Sequence, residues 1–282
     1  MKKISIIIVH YNQPDHLERC LESIHLSQLP ASTEILVIDN ASKDPKRVHQ
    51  ICSNGCLTVK LICNPANLGL ARTANIAAKK ASGSYILNLN PDVMVENDAI
   101  TVLEHYLDQH PHAGIAFPRL LNPDGSLQLS CRTHYDALTI LLRRTPLGKL
   151  YNGPRIRNHL MTDWDHREVR EIDWAVGAAF MIRREALNHG FLFDNRYFLY
   201  MEDVDLCLTL RQRGWGVYYV PSAVMTHHHI RSSGNRPLSK ANWEHFKSFI
   251  RFEFKHGGFN ECRQSHATVH IIRSQDRGEK PC

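Results

Sequence analysis

Leu87-Asn88-Leu89-Asn90-Pro91-Asp92 reads as a buried apolar strand that ends at a lone carboxylate. Pro91 has no N–H for a ladder hydrogen bond and biases Asn90 toward extended backbone, so pairing is expected to stop there and leave Asp92 beyond the strand's C-terminal end. In open α/β sheets that edge is where ligands bind. A hard carboxylate oxygen suits Mg²⁺ or Mn²⁺, ions that keep some waters and bridge to substrate phosphates. Asn-Pro-Asp is equally a ready-made turn with no further role. The stretch alone leaves both readings open.

Upstream, strand and helix patterns alternate. Residues 4–9 read as a strand, and 15–25 carry Leu17, Cys20, Leu21 and Ile24 at helical spacing. A strand at 34–38, a polar turn at 39–44, a strand at 59–63, an alanine-rich helix at 70–80 and a strand at 85–89 follow. This order predicts an α/β chain whose mostly parallel sheet is flanked by helices. Downstream come a helix, a short strand at 114–118, and a basic, aromatic stretch at 131–170 read as loops with a short helix over 138–143. Residues 172–181 are apolar with small residues in the middle, which lets a backbone or a ligand approach closely.

At 282 residues, with 43% apolar and 22% charged residues, the composition predicts a globular chain of one large domain plus an appendage. Lys2-Lys3 and the short apolar run after them do not make a signal peptide. The eight cysteines show no paired spacing, so reduced thiols in a cytoplasmic protein are expected. His49, Cys52, Cys56 and Cys63 lack the two short ligand pairs of a structural zinc site, which favours ordinary thiols. The net charge of +6 is partly concentrated in Arg132, Arg143, Arg144, Lys149, Arg155 and Arg157. With no reading motif or interleaved aromatic platform, nucleic acid is not expected as a partner.

A sheet of this kind often binds nucleotides, but no G-x-G-x-x-G and no G-x-x-x-x-G-K-[ST] occurs. The first strand-to-helix turn is His10-Tyr11-Asn12-Gln13-Pro14, which offers neither a glycine cradle nor a lysine. A bound diphosphate would need a metal ion as counter-charge. The missing cradle also argues against a nucleotidyltransferase. Two further groups stand out. Tyr200-Met201-Glu202-Asp203-Val204-Asp205-Leu206 opens a helix with acidic residues where the macrodipole favours them. Thr226-His227-His228-His229 follows an apolar stretch, and at most two of its three histidines can share one face of an extended chain.

In this order, the Ile-Ile-Val-His-Tyr-Asn of residues 7–12, the Val-Ile-Asp-Asn-Ala-Ser of 37–42, and Asn67-Leu68-Gly69-Leu70-Ala71 with Asn75 resemble the family 2 glycosyltransferases. So do the Leu-Asn-Pro-Asp of 89–92, the Trp-Ala-Val-Gly-Ala-Ala-Phe of 174–180 and the Tyr-Met-Glu-Asp-Val-Asp-Leu of 200–206. The family's members are inverting enzymes of the GT-A fold. The likeness spans roughly residues 4–230 and is strongest to bacterial rhamnosyltransferases of O-antigen and cell-wall assembly, which carry Leu-Asn-Pro-Asp where many relatives have Asp-x-Asp. It implies a nucleotide-sugar donor, with dTDP-rhamnose the best guess, and a saccharide or polyprenyl-linked acceptor. A UDP-hexose or N-acetylhexosamine donor is the alternative, as is a non-catalytic protein on the same scaffold.

The resemblance implies roles residue by residue. Asp203 is the general base, and Asp92 holds the metal with Asn90 nearby and His228 as distal ligand, His227 being the fallback. Tyr11, Asp39, Asn67, Gly69 and Arg72 lie toward the nucleotide. Asp39 would accept from a pyrimidine imide N–H, which uracil and thymine have and cytosine lacks. Trp174, Gly177 and Glu202 border the sugar or acceptor pocket. The implied domains are a catalytic domain over 1–230, an amphipathic helical segment over 231–258 and a poorly ordered tail over 259–282. In the helical segment Trp243, Phe246 and Ile250 recur at helical spacing with Lys247 and Arg251 between them. That pattern suits either packing on the catalytic domain or peripheral contact with the inner membrane leaflet.

Overall fold

Nearly every position from 4 to 10 is apolar, the pattern of a strand covered on both faces. The protein, described by a computed structural model over residues 3–27, 29–30, 32–133, 139, 153–228 and 240–257, places this strand inside its sheet. Strands β1 (Ile4–His10), β2 (Thr33–Asp39), β3 (Val59–Cys63) and β4 (Tyr85–Leu89) are parallel and lie in the order β3-β2-β1-β4. Helices α1 (Pro14–Leu26), α2 (Pro45–Asn54) and α3 (Leu70–Lys80) connect them. The chain winds outward from β1 to β3 and then returns to β1's other side. The crevice between the ends of β1 and β4 is therefore a topological switch point.

The second half of the sheet is mixed. Beyond β4 come β10 (Ala179–Arg183), β6 (Ala113–Leu121), β11 (Gly216–His227) and β5 (Val93–Val95), and β8 (Arg170–Glu171) pairs with β11. Strand β10 runs antiparallel to both β4 and β6. A separate ribbon joins β7 (Cys131–Arg132) to β9 (Trp174–Ala175). The remaining helices are α4 (Ala99–Gln109), α5 (Pro154–Leu160), α6 (Glu202–Gln212) and α7 (Lys240–Lys255).

Side-chain alternation divides the core into two layers. Ile7 faces Ala71, Ala74, Ala77 and Ala78 of α3 together with residues of α6, whereas Ile4, Ile6 and Ile8 face Leu17, Cys20, Leu21 and Ile24 of α1. The alanines let α3 lie close over the sheet.

The first parallel strands and α3 fall where the sequence pattern puts them. Helix α2 was not expected: its Val48, Ile51 and Cys52 make too short a stripe to stand out. Residues 172–181 are two strands interrupted at Val176-Gly177-Ala178, not one apolar run. The helix expected over 138–143 lies outside the described residues apart from Thr139, and the tail over 259–282 lies outside them altogether. No helix among the described residues is long and apolar enough to cross a membrane.

Candidate active site

Strand β4 ends at Leu89, and Asn90 to Val93 form a turn closed by the Val93 N–H donating to the Asn90 carbonyl at 3.1 Å. Asn-Pro-Asp is thus a turn, and the turn carries Asp92 into the wall of a cavity. Asp92 is buried, and its Oδ1 has no hydrogen-bond partner. His227 Nε2 lies 3.5 Å from that oxygen, too far for a strong hydrogen bond. Alternation along β11 turns His227 inward opposite Val93. Its Nδ1 lies 2.6 Å from Gln128 Oε1, an acceptor, so Nδ1 carries a proton. Burial, the largest influence, pushes the Asp92 carboxyl up, but His227, the backbone and His16 outweigh it and hold the group below the usual aspartate range. His228 gives Asp92 only its backbone N–H, at 2.8 Å to the Asp92 carbonyl, and its ring lies 6.2 Å from that of His16. The histidine facing the carboxylate is therefore the fallback of the sequence reading, His227, because the strand's period of two points His228 elsewhere.

Across the same cavity stands Asp203, in the first turn of α6. Its Oδ1 accepts from the Val204 N–H at 2.9 Å and its Oδ2 from the Gly177 N–H at 3.1 Å. Gly177 suits this close approach, since a Cβ there would sit 3.0 Å from Asp203 Cβ, a tight contact. Burial pushes the Asp203 carboxyl up, against the two N–H groups and the charge of Arg132, which pull it down. Glu202, beside it, is buried with Oε2 unpaired, and burial with the Asp203 charge pushes its carboxyl up to about 8.

The side expected to face a nucleotide is a network of amides. Asn40 Nδ2 donates to Asn67 Oδ1 at 3.0 Å, the same oxygen accepts from the Gly69 N–H at 2.9 Å, and Asn40 Oδ1 accepts from the Leu68 N–H at 3.0 Å. Tyr11, Asn40, Asn67, Gly69, Asn90, Asp92, Gly177, Glu202, Asp203 and His227 all line the cavity, whose volume is about 340 Å³. A second hollow of about 310 Å³, beside α1 and α2, holds the Glu18–Arg47 ion pair and lies apart from these groups.

Besides His228, three expected site residues do not line the cavity. Asp39 is buried, with Oδ1 2.9 Å from His10 Nδ1 and Oδ2 accepting from the Ser42 N–H at 3.2 Å. Gln13 N–H donates to His10 Nε2, so the His10 proton sits on Nδ1 and points at Asp39. Arg72 extends to the Asn195 carbonyl at 3.2 Å. Trp174 is a core residue whose indole N–H donates to the Thr133 carbonyl at 3.1 Å.

The cavity residues up to Gly177 fall inside a wider match, and Glu202, Asp203 and His227 lie beyond its end. The family model for Glycosyl transferase family 2 matches residues 5–191.

The chain belongs to glycosyl transferase family 2.

It is a glycosyltransferase with the GT-A fold. Among curated relatives of this family-2 chain, the N-acetylglucosaminyl-diphospho-decaprenol L-rhamnosyltransferase of Mycobacterium tuberculosis (strain H37Rv) is 31% identical over 278 residues, covering 91% of this chain and 86% of the relative. Rhamnosyltransferase WbbL of Escherichia coli (strain K12) is 26% identical, covering 88% and 92%. Among solved structures, GalNAc-T7 with UDP, GalNAc and Mn²⁺ superposes with a TM-score of 0.63 at 19% identity, over 89% of this chain and 48% of that longer one.

Three residues to which the sequence assigned no role act around the cavity. Asn75 accepts the Leu192 and Phe193 N–H groups at 2.8 and 2.9 Å and donates to the Phe193 carbonyl at 2.7 Å, so α3 pins the chain that leads to the cavity wall. Arg132, one of a crowd of basic residues in sequence, is buried near enough to Asp203 to lower its carboxyl. Gln128, which orients His227, stands in a polar stretch with no periodic pattern to mark it.

Proposed function

We propose that this glycosyltransferase moves rhamnose with inversion, from dTDP-rhamnose to a saccharide carried on a polyprenyl diphosphate, in the assembly of a surface polysaccharide. The observation that carries the mechanism is the opposite displacement of two carboxylates in one cavity: Asp92 held down, Asp203 pushed up. Environments that split two acids in this way separate their chemical roles. Asp203 takes the proton of the acceptor hydroxyl as its oxygen attacks the anomeric carbon, and the bond to the nucleoside diphosphate breaks on the opposite face. The two N–H groups at Asp203 hold the carboxylate in one orientation for that transfer.

A divalent cation fits the other wall. Asp92 Oδ1, which no hydrogen bond satisfies, lies 3.5 Å from His227 Nε2, and Gln128 orients the His227 ring from its other nitrogen. Those two residues would hold Mg²⁺ or Mn²⁺, which keeps waters and takes further ligands from substrate phosphates. When bound, the cation would offset the charge growing on the departing diphosphate. Among the described residues no group of three or more His, Cys, Asp or Glu forms a complete protein cage. Tyr11, Asn67 and Gly69 line the same cavity, where Tyr11 would cover the base and the other two would contact the donor. An Asp39 contact to a pyrimidine imide would be a second hydrogen bond at an oxygen already held by the Ser42 N–H or by His10.

The rhamnose donor and lipid-linked acceptor rest on the two rhamnosyltransferase relatives, one of them named for a decaprenol-linked substrate. The test is nucleotide release from dTDP-, UDP- and GDP-sugars with Mn²⁺ or Mg²⁺, with and without a polyprenyl diphosphate saccharide, beside Asp92→Ala and Asp203→Asn. Release of dTDP from dTDP-rhamnose is expected. Asp203→Asn should lower kcat by about 10²–10⁴-fold. Turnover of a UDP-sugar alone would overturn the donor and keep the mechanism, whereas full activity of Asp203→Asn would overturn the assignment of the base.

A further inference from the structure

Helix α7 has two apolar faces that point in opposite directions. Ser248 and Phe252 are buried against the catalytic domain, where Ser248 Oγ donates to the Leu199 carbonyl at 2.9 Å and the Tyr200 and His245 rings lie 4.9 Å apart. Leu199 and Tyr200 line the active-site cavity, so the inner face of α7 rests on the cavity wall. On the outer face Trp243, Phe246, Ile250 and Phe254 are 61%, 51%, 37% and 86% exposed. At about 100° per residue these four fall within one stripe roughly opposite Ser248 and Phe252. The rings of Trp243 and Phe246 are stacked at 5.9 Å; Lys247, paired with Glu244, and Arg251, which donates to the Arg196 carbonyl, lie along one edge of the stripe, and Glu253 lies along the other.

We propose that the Trp243–Phe246–Ile250–Phe254 stripe of α7 is a membrane-interface surface that seats the catalytic cavity beside an anionic bilayer. Composition and position select a bilayer over a protein partner. The stripe runs about 16 Å along the helix at the helical rise of ~1.5 Å per residue. Its exposed apolar area is on the order of 500 Å², taking ~150–250 Å² for a whole aromatic side chain, the size of a single functional patch. Aromatic residues with lysine and arginine along one edge suit the boundary between acyl chains and anionic headgroups. The inner face of the same helix contacts the cavity wall, so a helix lying in the interface holds the site one helix diameter from the membrane. An acceptor sugar on a lipid diphosphate would then reach Asp203 without leaving the bilayer. The choice of such an acceptor rests on the proposed function; the bilayer contact itself does not need it.

The full chain is tested by co-sedimentation with vesicles of phosphatidylglycerol and phosphatidylethanolamine, and of phosphatidylcholine alone, beside the double variant Trp243→Glu/Phe246→Glu. Both side chains are exposed, so thermal unfolding should show the variant as folded as the parent. The expected result is salt-sensitive binding to the anionic vesicles that the variant weakens on the order of tenfold or more. Quenching of tryptophan emission by brominated lipid should be lost in Trp243→Phe. Absence of vesicle binding, or equal binding by the variant, overturns the proposal. So does a concentration-dependent dimer in sedimentation equilibrium that the variant dissolves, since it gives the stripe to a second copy. Failure of vesicle binding with dTDP-rhamnose turnover intact overturns this inference alone. Intact, variant-sensitive binding without rhamnosyl turnover overturns the proposed donor and leaves α7 a membrane surface.

Discussion

Asp92 and Asp203 are the same residue type in one cavity, and their neighbours make them different acids. A histidine opposite one and burial around the other shift them in opposite directions. Glu202 shows what the second environment costs the fold. Its carboxyl is raised to about 8 by burial first and then by the Asp203 charge, so the folded state binds its proton more tightly than the unfolded chain does. The resulting stability is fully present below the ordinary glutamate range and is lost as pH rises through about 8. Glu202→Gln keeps the neutral form at every pH. Its melting temperature should match the parent's at pH near 5 (about the free Glu range) and exceed it above pH ~8. Thermal unfolding followed by circular dichroism across that window checks this, and parallel curves for the two proteins would show that Glu202 is not held protonated.

At the scale of elements, the legible parts were those set by local periodicity. The strand end at Leu89, the alanine face of α3 and the acidic opening of α6 follow from residues adjacent in sequence. The site's other half was not legible, because it depends on pairings between distant segments. Strand β10 lies antiparallel on β4, and that pairing brings Gly177 to Asp203; nothing in residues 172–181 states the direction of pairing. Asp39 and Trp174 were placed at the cavity on motif position, yet their side chains are turned to His10 and to the Thr133 carbonyl. Gly69 joins both kinds of information. Its φ of +82° is a local demand that glycine meets, and its close contact is long-range, since a Cβ would lie 2.5 Å from the Phe198 carbonyl. Gly69→Ala should therefore destabilise the protein by about 1–3 kcal/mol and raise KM for the donor, because Phe198 belongs to the cavity wall. Urea unfolding and donor titration measure the two effects, and an unchanged midpoint would mean that the loop yields without strain.

Across the whole molecule, a polar latch fastens α7 to the catalytic domain. Lys255 Nζ donates to Asp205 Oδ2 at 2.7 Å and to Asp194 Oδ2 at 2.9 Å, and His256 Nε2 lies 2.7 Å from Asp205 Oδ1. Asp205, an acidic residue of the α6 opening with no assigned catalytic part, is thus the anchor that ties the last helix to the helix bearing Asp203. Asp194 sits well below the usual aspartate range: burial works against it, but hydrogen bonds from Arg196 and the hydrogen bond and charge of Lys255 prevail. A depressed carboxylate stabilises the fold above its unfolded pKa, and that contribution disappears as pH falls through the folded one. The latch should therefore loosen in acid, below the ordinary aspartate range of about 3.9, while the apolar sheet core is still intact. Limited proteolysis, with an acid-active protease at low pH and trypsin near neutral pH, is expected to release α7 as pH falls, with far-UV circular dichroism largely retained. Lys255→Met removes the cation that both carboxylates share, so cleavage should already begin near neutral pH and depend less on acidity. Simultaneous loss of α7 and of the sheet signal in both proteins would show that the helix and the catalytic domain unfold as one unit, with no separable latch.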